Sequence, residues 1–198
     1  LGLVTRPAGS PPRLGWWVAG AAVTSVLLRL PSLRAPLGPD EAGALVVARA
    51  WQSGARLYVD AFVDRPQGVV LLFQRWDAWF GPSPAAVRSL AIVAGVVVVV
   101  ATAVAAAAVA RRRSAGAVAA WLVAVTSASA AIEGPTANGE LLAGAVAVPA
   151  MAIAALVVTR RARASWLVVA GALAATAITM KQSGADVLVA IVAWIAVA

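Results

Sequence analysis

SLAIVAGVVVVVATAVAAAAVARRR, residues 89–113, decides the fold of this chain. Ser89–Ala110 carries no charge. As a helix rising 1.5 Å per residue it reaches roughly 30 Å, the thickness of a bilayer's hydrocarbon core. Arg111, Arg112 and Arg113 then stop the run with three cations. Such a segment reads as a transmembrane helix with its basic end at one membrane face.

Further apolar runs lie at 14–30, 115–132, 141–159 and 166–180, and a last one occupies 186–198. The whole chain is 62% hydrophobic and 12% charged, with mean hydropathy +0.90. Soluble domains run nearer half apolar and a quarter charged. The expectation is an all-α protein, a polytopic transmembrane helical bundle. The polar stretch 31–87 is its first outer loop, and 1–198 form one membrane domain. Leu1 is not a methionine and Ala198 falls inside an apolar run, so the sequence reads as the N-terminal part of something longer. No cleavable signal peptide is expected, because Arg29, Pro31 and Arg34 follow the first run without a small-residue cleavage pattern.

Orientation follows from the basic residues. If Gly68–Phe80 (GVVLLFQRWDAWF) does not cross, Arg111–Arg113 and Arg160–Arg163 fall on the same side as Arg6 and Arg13. That satisfies the positive-inside rule throughout and puts the N-terminus in the cytoplasm. The segment is also short for a span, and Trp76, Trp79 and Phe80 suit an interfacial helix. All eight acidic residues then lie on the outer side. Acids contribute little to topology, so their segregation points to a carboxylate site on the outer face of the plasma membrane.

The chain has no Cys and no His. Disulfides, thiolate nucleophiles, imidazole bases and the usual zinc ligands are therefore excluded. Acid–base chemistry falls to Asp, Glu, Lys or Tyr. The net charge of +8 comes from Arg clusters between apolar runs. A basic stripe interleaved with aromatics is missing, which argues against nucleic acid.

Four constellations stand out. Gly38-Pro39-Asp40-Glu41 opens a helix expected over Glu41–Ser53, ended by Gly54. Asp40 reads either as its N-cap or as an acid held at a catalytic mouth. Arg65 precedes Pro66, which disfavours helix at Arg65 and leaves that guanidinium on an extended segment. It suits bidentate phosphate binding or snorkelling to headgroups. Glu133 and Glu140 flank a short outer turn containing Asn138. Glu140 begins a span, where an acid is functional or simply favoured by the helix dipole. Lys181, the one lysine, stands at an outer helix end beside Gln182, as an anchor or a functional cation.

Asp40-Glu41, then Arg65-Pro66-Gln67-Gly68, then Gly81 and Arg88 make an ordered series. Asn138-Gly139-Glu140-Leu141-Leu142 and Lys181-Gln182 continue it. The series resembles the polyprenyl-phosphate-sugar-dependent glycosyltransferases of the GT-C fold, such as protein O-mannosyltransferases and the aminoarabinose transferase of lipid A. The layout match covers about residues 14–190, and its specific part about 50 of them. Arg65 stands where those families carry Lys or His, and Gln67 replaces a second proline, which bears on the subfamily and the sugar. The resemblance implies a GT-C bundle whose first outer loop carries interfacial helices. It implies a polyprenyl-phosphate sugar donor in the membrane and a cell-envelope glycan, lipid or protein as acceptor. By the same resemblance, Asp40 and Glu41 are catalytic and Arg65 and Lys181 bind the donor phosphate. Glu140, Asn138 and Gln182 orient the acceptor or a metal, with Mg or Mn the divalent cation found in some members. A transporter or flippase subunit for a lipid-linked or anionic substrate is the alternative, since intramembrane charge and short Arg-rich inner loops suit it too. A purely structural subunit explains neither Lys181 nor the acid segregation.

Overall fold

The computed structural model describes residues 14–197. Among these residues the fold is all-α, with eight helices. They are α1 (Leu14–Arg29), α2 (Pro39–Gln52), α3 (Gln67–Phe80), α4 (Pro84–Val109), α5 (Arg113–Thr126), α6 (Gly139–Val158), α7 (Trp166–Met180) and α8 (Ala185–Val197). Three segments are long and apolar enough to cross a membrane: Leu14–Arg34, Pro84–Val109 and Gly139–Val158. The first joins α1 to a 3-10 turn at Leu30–Arg34.

Local chemistry sets the boundaries. Helix α4 begins at Pro84 rather than at Ser89, because the Ser83 hydroxyl accepts from the Ala86 N–H at 3.1 Å and proline fits the first helical position. Gly81, at φ +82°, turns the chain between α3 and α4. The expected span 115–132 is shorter as a helix. Helix α5 stops at Thr126, and the rest winds through a turn into a 3-10 segment at Ala130–Ile132. Residue 198 of the last expected run lies outside the described residues.

Helices alternate in direction. Leu14 and Arg113, which open α1 and α5, line one cleft. At the far ends of the same helices, Arg29 Nη2 donates to the Ser127 carbonyl at 2.5 Å. So α1 and α5 run parallel, with α4 antiparallel against both. Helix α6 packs between α4 and α7, and α8 joins on the α6–α7 side. Small residues make these seams. Ala150, Ala154 and Ala174 are fully buried, and a Cβ on Gly116 would stand 2.6 Å from the Ala103 carbonyl oxygen. Close backbone approach of this kind is how helices associate where lipid removes the hydrophobic drive.

Helix α3 does not run through the bundle. Gly68 at its start seats on Thr179 near the end of α7. Trp76 in its later half donates its indole N–H to the Ala86 carbonyl at 2.8 Å, near the start of α4. Both anchors lie at the bundle end that holds Arg29, so α3 lies across that end. Trp79 and Phe80 remain exposed there, while Trp16, Trp17 and Trp166 are exposed at the opposite end. Aromatics at both ends match the two interfaces of a bilayer.

Candidate functional site

Asp40 is not the cap of α2. Gly38 holds the N-cap position with Pro39 next, and the Glu41 carboxylate reaches back to the Gly38 N–H at 3.0 Å. This is the glutamate half of a capping box, and the Asp40 side chain is released from capping. Its Oδ2 instead accepts from Arg65 Nη2 at 2.7 Å. Arg65 is placed as the sequence suggests, ahead of Pro66, whose extended backbone caps α3. Tyr58, in the left-handed region at φ +68°, donates its hydroxyl to the Arg65 carbonyl at 2.7 Å. That contact fixes the backbone from which the guanidinium projects.

Glu41 occupies a different environment. It is 1% exposed. One oxygen accepts from the Ala137 N–H at 2.8 Å, and the other meets Gly38 N–H and Arg88 Nη2 at 3.0 and 2.9 Å. Arg88, also buried, further donates to the Pro36 carbonyl at 2.9 Å. Glu41, expected to be catalytic, ties α2, α4 and the 133–138 turn together through these contacts. Asn138, expected to orient an acceptor or a metal, caps α6: its side-chain oxygen accepts from the Leu141 N–H at 2.8 Å.

Glu140 and Lys181 form another ion pair at this bundle end, joining the start of α6 to the end of α7. The positive field of Arg65 also reaches Glu140. Asp40 and Arg65 border a narrow gap with Asn138 and Gly139. The two ion pairs are thus neighbours. Gln182 shares with Arg65 a cavity of about 560 Å³, bounded also by Phe62, Ile178 and Thr179. A second cavity, about 440 Å³, is bounded by Asp40, Glu133, Thr136 and Arg88. The Asp40–Arg65 pair stands between them, one partner on each.

Arg29 was not singled out by its sequence context. It is fully buried, with its donors on neutral oxygens only: Ser25 Oγ at 2.6 Å, the Ser25 carbonyl at 3.2 Å, Ser127 Oγ at 3.1 Å, and the carbonyls of Ser127 and Gly134 at 2.5 and 3.2 Å. Gly95 on α4 leaves room for the guanidinium. Arg29 and Arg88 together hold consecutive carbonyls, Gly134 and Pro135, of the turn that walls the second cavity. A lone Arg at a helix end, followed by prolines, resembles a topology charge, so no signal marked it.

Divalent-cation binding needs several oxygens in one place. Among the described residues no three acidic side chains converge on such a point. Glu41, Asp40 and Glu140 each face a cation of the chain instead. Neither a family model, nor a curated protein, nor a solved structure matches the chain.

Proposed function

We propose that this chain belongs to a membrane glycosyltransferase of GT-C type, moving a sugar from a polyprenyl-phosphate donor to an acceptor hydroxyl or amine at the outer face of the plasma membrane. The observation that carries the reading is the Asp40–Arg65 pair between two cavities. A transferase of this kind needs a base on the acceptor side and a cation on the phosphate side, within reach of one sugar.

The cavity of Phe62, Ile178 and Arg65 takes the donor, its apolar walls toward the lipid and Arg65 toward the phosphate. The cavity of Asp40, Glu133 and Thr136 takes the acceptor. Asp40 removes the acceptor proton. The acceptor oxygen or nitrogen bonds to the anomeric carbon from the face opposite the leaving group, and the carbon–phosphate-oxygen bond breaks with inversion. The lipid phosphate leaves as an anion, its charge met by Arg65 and Lys181. The resting ion pairs fit this sequence: phosphate competes with Asp40 for Arg65, so donor entry releases the base.

The test is the fate of a radiolabelled polyprenyl-phosphate sugar supplied to the full protein in vesicles. Transfer predicts that free polyprenyl phosphate accumulates as label leaves the donor. Intact donor appearing in the opposite leaflet, with no free polyprenyl phosphate, would instead establish the transporter alternative.

A further inference from the structure

At the bundle end opposite the ion pairs, a cleft of about 680 Å³ opens between the starts of α1 and α5. Its walls are Trp17 and Leu14 from α1, and Val118, Trp121 and Leu122 from α5, with Arg113 and Ser114 at the mouth. We infer that this cleft binds one anionic glycerophospholipid, its phosphate on Arg113 and Ser114 and one acyl chain lying between Trp17 and Trp121.

Dimensions and charge select that occupant. From Arg113 to Trp121 the cleft descends about 12 Å along α5, the depth from headgroup into the upper acyl region. Arg113 is the cation that lines the cleft, and Arg111 and Arg112 precede it in sequence without lining it. Trp17 is half-exposed beside the exposed Trp16, which places the mouth at the interfacial aromatic belt. Trp121 also carries a buried indole N–H with no acceptor among the described residues, a group that an ester or phosphate oxygen satisfies. A Cβ on Gly20 would stand 3.2 Å from the Trp121 ring, so Gly20 lets the indole lie close to α1. The cleft belongs to the basic end, remote from Asp40 and Arg65, and it does not depend on the transferase reading.

The experiment uses tryptophan quenching by brominated lipids in vesicles holding the full protein. The signal of Trp121 is the difference between the wild-type chain and Trp121→Phe. Brominated phosphatidylglycerol should occupy the cleft with about a fivefold preference over brominated phosphatidylcholine, the enrichment expected from one Arg near the surface. Arg113→Gln should abolish the preference at Trp121, while Arg112→Gln keeps most of it. Excess inorganic phosphate should not relieve the quenching, since a free anion lacks the chain that fills the cleft. Equal quenching by both lipids, or equal losses in Arg112→Gln and Arg113→Gln, would reduce the effect to general surface charge and overturn the site. Native mass spectrometry of wild type and Arg113→Gln gives a readout independent of Trp121→Phe folding. Phosphatidylglycerol retained by the first and lost from the second supports the site, and equal retention refutes it.

Discussion

Asp40 Oδ2 and Arg65 Nη2 lie 2.7 Å apart, joining the first turn of α2 to the segment that enters α3. The pair is only partly buried, with the Asp40 side chain 55% exposed, so it contributes little to folding, at most about 1 kcal/mol. Its place between two cavities is what gives it a role. Arg65→Ala and Lys181→Ala should each lower kcat/KM for the donor, and the double variant should lose less than the sum. Two cations sharing one phosphate produce that coupling, and a cycle coupled by more than about 0.5 kcal/mol would show it. Arg65→Lys should recover part of the loss, keeping the charge without the planar fork. Additive effects would mean the two cations do not share a ligand.

Glu41 and Arg88 behave oppositely, because both are buried and, among the described residues, each is the other's only charged partner. Arg88→Leu leaves Glu41 as an uncompensated carboxylate and should cost about 3–5 kcal/mol. Thermal unfolding of the full protein in detergent should show a large fall in Tm. A Tm unchanged by Arg88→Leu would refute this.

Gly68 predicts a steric effect on the cavity bounded by Arg65, Phe62 and Thr179. An added Cβ would stand 2.5 Å from the Thr179 carbonyl oxygen, a main-chain atom that cannot swing aside. Gly68→Ala should push α3 away from α7, destabilise by about 1–3 kcal/mol and raise the donor KM. Thr179→Ala should not rescue it, since the carbonyl remains. Recovery in the double variant would show that only the hydroxyl was in the way.

Arg49 donates two hydrogen bonds to Asp77, at 3.0 and 2.8 Å, locking α2 to α3. These bonds hold the Asp77 carboxyl below its ordinary value of about 3.8. With the native value depressed, the contribution is fully present above pH 3.8 and is lost as pH falls through the native value. Because Arg49 is well exposed, the contribution is about 1 kcal/mol. Asp77→Asn should therefore lower Tm at neutral pH and flatten its decline in acid below pH 3.8. Parallel acid profiles for both proteins would remove Asp77 as the cause.

The helical bundle was legible because apolar length carries it: Ser89–Ala110 and Trp166–Met180 announce themselves without neighbours. The placement of α3 was legible too, through Arg75, Asp77 and its aromatic cluster. The roles of adjacent acids were not. Asp40 and Glu41 stand together at a helix start, where the sequence alone reads Asp40 as the cap and Glu41 as a first-turn acid. The choice of Gly38 as cap depends on Glu41 folding back, and Glu41's burial depends on Arg88 and Ala137 arriving from distant segments. The capping contact of Asn138 was hidden for the same reason, since a cap and a ligand-orienting amide look alike before the next helix is placed. Tyr58 and Arg29 act through contacts to backbone oxygens, which leave no pattern in sequence.

The most direct measurement is sugar transfer from a polyprenyl-phosphate donor by the full protein carrying Asp40→Asn. The substitution leaves the Gly38 cap and the Glu41–Arg88 pair untouched, so the protein should fold with a nearly unchanged Tm. An amide cannot take the acceptor proton, and turnover should fall about 10²- to 10⁴-fold while donor binding persists. Near wild-type transfer by Asp40→Asn would contradict the assignment of Asp40 as the base.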